Sequence, residues 1–185
     1  LGMEGSLVAL DSVMRGDLDR QIPISIRENF ENAMNCNGNG QCFSYQQSSL
    51  MCPSYRYTKD HVRSPKGYAG LMREWLRLMA KKGININAME LETLTRTPNP
   101  VHFARRVYNT ICGKDDFNKA YYENIKTCVA CKSCKTQCPA HVNVADLNSR
   151  FLAMYYDRYL RPSMDLVALH AEVLLPFQIC RFAAL

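Results

Sequence analysis

The sequence predicts an all-α fold, and three observations carry that expectation. Apolar stripes at helical spacing recur along the chain with recognisable start and stop residues. Alternating, strand-type runs are almost absent. The densest motif, a run of four cysteines between residues 128 and 138, lies between two helical patterns rather than within a sheet-like one.

Taken in order, residues 1–22 mix Gly, Asp and Leu without a sustained period and read as a connector. Pro23 precedes a short helical pattern over 24–34, which leads into Cys36. Residues 36–64 are rich in Gly, Asn, Ser and Gln and read as loop. The clearest helix start follows, with Ser64 at the N-cap and Pro65 at the first helical position. Behind it, Leu71, Met72, Trp75, Leu76, Leu78 and Met79 form an apolar face. Arg73, Glu74, Arg77, Lys81 and Lys82 fall on the other side, and Gly83 marks the stop. Trp75 and the methionines therefore read as core. Residues 86–95 and 101–112 suit two further helices, split by Thr97-Pro98-Asn99-Pro100. Gly113 to Asp116 reads as a turn, and a helix over 117–127 delivers Cys128. A long helix over 144–160 carries Leu147, Phe151, Met154 and Tyr155, and Arg161-Pro162 ends it.

A chain of 185 residues is long enough to bury a core. It starts at Leu1 and ends in Phe182-Ala-Ala-Leu185, which reads as a piece of a longer polypeptide. The formal charge of +6 is modest and forms no dense basic stripe with interleaved aromatics, so a nucleic-acid partner is not expected. Lys126, Lys132 and Lys135 stand beside the cysteine run, where they would balance an anionic group. No secretory or transit leader is visible. Residues 166–185 are the most apolar stretch, yet His170, Glu172, Pro176 and Arg181 make it a poor spanning helix. It reads as a helix packed on other parts of the protein, with a peripheral membrane contact as the lesser reading.

Of nine cysteines, only Cys112 and Cys180 stand outside two short runs. Cys128-x2-Cys131-x2-Cys134-x3-Cys138-Pro139 has the spacing of a bacterial-type iron–sulfur ligand run. In two-cluster proteins the fourth cysteine of such a run binds the other cluster. A second, altered run exists: Cys36-x2-Asn39-x2-Cys42, then Cys52-Pro53. Crosswise sharing puts Cys52 with Cys128, Cys131 and Cys134, four thiolates that suit a [4Fe–4S] cluster. Cys138 then joins Cys36 and Cys42, with Asn39 at the position of the missing thiolate. That first site suits either a [4Fe–4S] cluster with a weak fourth ligand or a [3Fe–4S] cluster. The Cys42–Cys52 gap is longer than the usual spacing.

The competing reading of these cysteines is a zinc site, but zinc ribbons separate their pairs by a longer spacer. Cys112 and Cys180 read as buried small hydrophobes. His141, three residues past Cys138, reads as a solvated or capping side chain, with a hydrogen bond near a cluster as the alternative. His61, His102 and His170 have no companions. Neither a Ser/His/Asp set, a phosphate-cradling glycine loop nor a flavin or dinucleotide fingerprint is present.

Several motifs occur together: Asp19-Arg-Gln-Ile-Pro23, Cys36-Asn-Gly-Asn-Gly-Gln-Cys42, Met51-Cys-Pro-Ser-Tyr55, His61-Val-Arg-Ser-Pro-Lys-Gly67, Arg73-Glu-Trp-Leu-Arg77, the second cysteine run and Arg158-Tyr-Leu-Arg-Pro162. In this combination the chain resembles the iron–sulfur domain of the large bacterial FAD-linked oxidases fused to a ferredoxin-like module. The likeness covers roughly residues 15–170. It implies a helical ferredoxin-like fold with two cluster sites, similar to succinate dehydrogenase iron–sulfur subunits. It implies an FAD domain upstream and a cysteine-rich domain downstream as partners within the parent chain. The implied activity is oxidation of a D-2-hydroxy acid at that FAD, with electrons drawn off one at a time through the clusters to a quinone or electron carrier. The chain alone is not expected to be catalytic. The implied location is cytoplasmic, or peripheral at the inner face of the membrane. The expected division is a connector over 1–22, the two-cluster domain over 23–162 and the start of a downstream helical segment over 163–185. A free-standing relay subunit of a quinone-linked or heterodisulfide-reductase-like complex is the alternative.

Overall fold

A computed structural model describes residues 15–44, 46, 48–49, 51–97, 99–112 and 116–170. The regular structure among the described residues is all helical, with no strand among them. Among the described residues eleven α-helices follow one another: α1 (Arg15–Asp19), α2 (Ile24–Asn29), α3 (Glu31–Met34), α4 (Pro53–Thr58), α5 (Pro65–Lys81), α6 (Ile86–Thr95), α7 (Pro100–Cys112), α8 (Phe117–Ile125), α9 (Ser133–Gln137), α10 (Val144–Arg158) and α11 (Ser163–Leu169). Short 3-10 turns occupy Gln41–Phe43 and His61–Arg63.

The chain divides into two compact units. The first takes residues 1–96 with 115–154, the second 97–114 with 155–185. In the first unit α5 is the central rod, in contact with α1, α3, α6, α8 and the 61–63 turn. Its start follows the expected chemistry: Ser64 Oγ accepts from Gly67 N–H and Pro65 opens the first turn. Tyr68, Met72, Trp75, Leu76 and Met79 are buried along one side of it. Trp75 meets Phe151 of α10 edge to face at 5.3 Å, and Tyr121 of α8 packs on the same ring at 4.2 Å. Trp75 Nε1 donates to Asn118 Oδ1 at 2.7 Å, so the buried indole N–H is satisfied.

Arg73, expected on the solvent face of α5, is instead only 6% exposed. Its Nε donates to the Ala33 carbonyl at 2.6 Å, and Nη1 reaches Asp19 Oδ2 at 3.1 Å. Nη2 donates to the carbonyls of Met34 and Cys36. The guanidinium thus caps the C-terminal end of α3, where carbonyls lack helical partners.

The loop expected over 36–64 contains α4 and both 3-10 turns. Pro53 begins α4 instead of breaking a helix, because its fixed φ suits the first helical position. The helix expected over 24–34 is interrupted at Phe30, whose φ of −108° and ψ of 36° separate α2 from α3. A second tie within this unit joins α10 to α6 and α2. Arg150 Nε and Nη2 hold Glu90 at 2.6 and 2.7 Å, Nη1 donates to the Asn29 carbonyl at 2.7 Å, and the guanidinium lies over the Phe30 ring.

In the second unit, Asn99 Oδ1 accepts from Val101 N–H at the start of α7. Arg106 and Asn109 donate to the Tyr159 and Arg158 carbonyls, and Thr110 Oγ1 accepts from Leu160 N–H. Tyr156 donates to Asp165 Oδ2 at 3.0 Å and stacks under Arg161. Cys112, read as a buried hydrophobe, is exposed at the end of α7. Ile111, beside it in the last turn of the helix, is likewise exposed. Residues 1–14, Pro98, residues 113–115 and the stretch 171–185 with Cys180 lie outside the described residues. Among the described residues no helix is long and apolar enough to cross a membrane.

Candidate functional site

Seven cysteines line two neighbouring cavities of the first unit. Cys52, Cys128, Cys131 and Cys134 line one, together with Pro65, Tyr68 and Lys132. Cys36, Cys42 and Cys138 line the other, together with Asn39, Gly40 and Lys66. The grouping is crosswise: Cys52 sits with the second run and Cys138 with the first. Cys134 and Pro65 border both cavities. The atom-free space in each is about 340 and 310 Å³, counting the part open to solvent. No three His, Cys, Asp or Glu side chains among the described residues close on a point that would hold a single ion.

Specific contacts bring these distant cysteines together. Ser54 Oγ, two residues past Cys52, donates to the Thr127 carbonyl at 2.6 Å, which fastens α4 to the approach of Cys128. The Tyr68 hydroxyl lies 3.0 Å from Thr127 Oγ1 and ties α5 to the same point. On the other side, Phe43 stands edge-on to His61 at 4.8 Å and to Tyr55 at 6.1 Å, so the turn carrying Cys42 packs against α4. Arg73 holds the Cys36 carbonyl. Cys138 caps α9 through its N–H to the Cys134 carbonyl, and His141 Nδ1 pairs with the Lys135 carbonyl on the far side of the same turn. His141 is therefore a capping side chain.

The backbone around the cavities is unusual. Cys52, Ala130, Lys132 and His141 all have positive φ, between 49° and 60°. Each such residue costs about 1–2 kcal/mol, and strain of this kind gathers where function requires a particular backbone direction. Gly40 has φ of 82°, and a Cβ there would meet the Phe43 ring at 2.6 Å. These turns aim N–H groups at sulfur. Tyr55 N–H points to Cys52 Sγ at 3.5 Å, and Lys66 N–H to Cys42 Sγ at 3.4 Å. N–H groups of Val144 and Ala145, at the start of α10, face Cys134.

Burial pushes the Cys52 thiol up to about 11 against the pull of the Tyr55 N–H. Burial also raises Cys42 and Cys134, again opposed by their backbone donors. These buried thiols face backbone N–H donors, which an anionic sulfur uses more fully than a neutral one. Asn39 lines the first cavity, and its Oδ1 accepts from Gln41 N–H at 3.3 Å. Lys132 and Lys66 border the cavities, whereas Lys126 pairs with Glu123. Sequence reasoning missed Ser54, Tyr68, Lys66 and Arg73 as parts of the site. The Ser-Tyr after Cys52-Pro53 and the Ser-Pro-Lys-Gly at the start of α5 are the sequence signals that point to them.

Neither a protein-family model nor a solved structure matches the chain. Curated proteins do. A D-2-hydroxyglutarate dehydrogenase of Haemophilus influenzae is 41% identical over 180 residues, 96% of this chain and 17% of that protein. This chain is homologous to a segment of D-2-hydroxyglutarate dehydrogenases. The Escherichia coli enzyme of that name is 41% identical over 174 residues, 89% of this chain and 16% of its own length. That of Pseudomonas putida is 40% identical over 178 residues, 96% of this chain and 18% of its own. The chain spans about one sixth of the length of the D-2-hydroxyglutarate dehydrogenases it matches.

Proposed function

We propose that this chain is the electron-transfer segment of a flavin-dependent D-2-hydroxy-acid dehydrogenase, with D-2-hydroxyglutarate as the substrate of the whole enzyme. The reading rests on one observation: cysteines from two distant runs line each cavity, Cys52, Cys128, Cys131 and Cys134 the one, and Cys36, Cys42 and Cys138 with the shared Cys134 the other. Sulfurs spread around a cavity suit the corners of a cubane. A zinc ion instead needs its sulfurs about 2.3 Å from a single centre. The names of the homologous proteins support the substrate class.

In this reading Cys52, Cys128, Cys131 and Cys134 hold a [4Fe–4S] cluster. Cys36, Cys42 and Cys138 hold a [4Fe–4S] cluster with a weak fourth ligand at the Asn39 position, or a [3Fe–4S] cluster. When bound, such clusters accept and release single electrons, which lets a two-electron flavin communicate with a one-electron carrier. The protein's contribution is local. The thiolates fix the groups in place, and the N–H donors of Tyr55, Lys66, Val144 and Ala145 offset their negative charge. Pro65, Tyr68 and Val129 contribute apolar surface to the wall of the second cavity.

FAD binding and substrate oxidation belong to other parts of the proposed enzyme. The partners are its own FAD domain, a cysteine-rich domain of the same chain, and a quinone or soluble electron carrier, in the cytoplasm or at the inner face of the membrane. Iron and acid-labile sulfide measured on anaerobically purified protein test the reading. Seven to eight iron atoms per chain with matching sulfide support it. Zinc without sulfide overturns it.

A further inference from the structure

We propose that Lys66 is the charge-balancing residue of the first site: its ammonium offsets the thiolates of Cys36, Cys42 and Cys138 and raises the reduction potential there. This rests on the two-cluster reading. Lys66 lines the first cavity together with those cysteines, and both ends of the residue are fixed there. As the second residue of α5 its N–H has no intrahelical partner, and it points to Cys42 Sγ at 3.4 Å. Its Nζ donates to the Gly38 carbonyl at 3.4 Å and lies 5.5 Å from the centre of the Phe43 ring. The side chain therefore runs from Cys42 to the loop that carries Asn39 at the place of the missing thiolate.

The charge at this position is not spent elsewhere. Among the described residues no Asp or Glu lines the first cavity, and no carboxylate pairs with Lys66. Arg73, Arg77, Lys126 and Arg150 by contrast each hold a carboxylate. The amine also has a seat. Gly38 turns with φ of 76°, and Cε and Nζ of Lys66 lie 3.5 and 3.6 Å from where a Cβ on that glycine would stand. The half-buried side chain thus rests on the cavity loop instead of extending into water. Each electron added to a thiolate-bound cluster makes it more negative, and a nearby cation stabilises that reduced state more than the oxidised one. The effect belongs to one site, because Lys66 borders the first cavity and not the second.

The test is a redox titration followed by electron paramagnetic resonance on the full-length protein, purified anaerobically, comparing wild type, Lys66→Arg, Lys66→Met and Lys66→Glu after iron and sulfide have been measured on each. All four side chains leave the backbone N–H to Cys42 in place, and Met keeps an unbranched stem beside Phe43. The first-site potential is expected to stay near the wild-type value in Lys66→Arg, to fall in Lys66→Met and to fall further in Lys66→Glu, with a smaller shift at the second site. Loaded Met and Glu variants with the wild-type first-site potential overturn the charge role, and equal shifts at both sites overturn its assignment to the first. Should Met and Glu lose the first cluster while Arg keeps it, the need for a cation is upheld; loss in all three overturns it, since shape and not charge is then what matters. Wild-type protein lacking iron and sulfide overturns the two-cluster reading itself.

Discussion

Arg73 Nη2 donates to the carbonyl of Cys36 at 3.1 Å from a helix 37 residues further along the chain. The same guanidinium serves Ala33, Met34 and Asp19, so one buried cation sets where the first cysteine stands. Asp19 and Arg73 are then two ends of one device that ties α1, the end of α3 and α5 together.

Replacing this cation should be costly. Arg73→Met strands three main-chain carbonyls and the Asp19 carboxylate, and is expected to destabilise the protein by about 3 kcal/mol, read from urea denaturation. Arg73→Lys should recover only a small part of that, because a point charge cannot serve a fork of acceptors. A variant as stable as wild type would show that solvent meets these groups equally well.

A close approach at the start of α5 gives a second expectation. A Cβ on Gly67 would lie 2.2 Å from the Val62 carbonyl oxygen and 2.5 Å from that of His61. Gly67→Ala should therefore push the 61–63 turn off the helix and cost about 2–3 kcal/mol. Gly70, one turn on, has nothing within 4 Å of a new Cβ. Gly70→Ala should stabilise by about 0.5–1 kcal/mol through helix propensity alone. Thermal melts of the two variants, moving in opposite directions, check both.

Acid should weaken the α6–α10 tie. The Arg150 guanidinium, hydrogen-bonded to Glu90, holds that carboxyl below its ordinary value of 4.5, with burial opposing. A depressed folded-state value stabilises at pH above the unfolded value, and that contribution is lost as pH falls from 4.5 through the folded value. Glu90→Gln should cost about 1–2 kcal/mol at neutral pH and flatten the loss of stability below pH 4.5. Denaturation curves between pH 3 and 7 provide the comparison. Equal slopes for variant and wild type would remove the pair from the acid response.

Crosswise sharing makes a prediction that sequence order does not. Cys52→Ser, though it lies in the first run, should abolish the second-site paramagnetic signal and spare the first. Cys138→Ser, in the second run, should do the reverse. Spectra of the reduced variants decide it, and loss of the signal belonging to the mutated run would refute the pairing.

Local signals were legible before the structure was known. Ser64-Pro65 and the stripe behind it place α5 within its observed bounds, and the seven cysteines singled out by their spacing all line the two cavities, with Cys134 bordering both. Properties set by distant partners were hidden. Arg73 looks like a surface residue because nothing in its own helix reveals the carbonyls of residues 33–36. α4 was hidden because Cys52 enters it from a left-handed backbone, which no composition rule anticipates. Cys112 looked like core because spacing reports a helix face but not whether anything packs on it. The division into two units interleaves four stretches of sequence, so no reading in chain order recovers it.

The partition between the two cavities is thin, since Cys134 and Pro65 form part of both walls. With both filled as proposed, an electron arriving on one side repels the next from the other through little intervening matter. The pair would then fill with negative cooperativity, its two midpoints spread apart even if each site alone favoured the same value. Such a couple behaves as a valve: it takes the first electron readily and holds the second loosely.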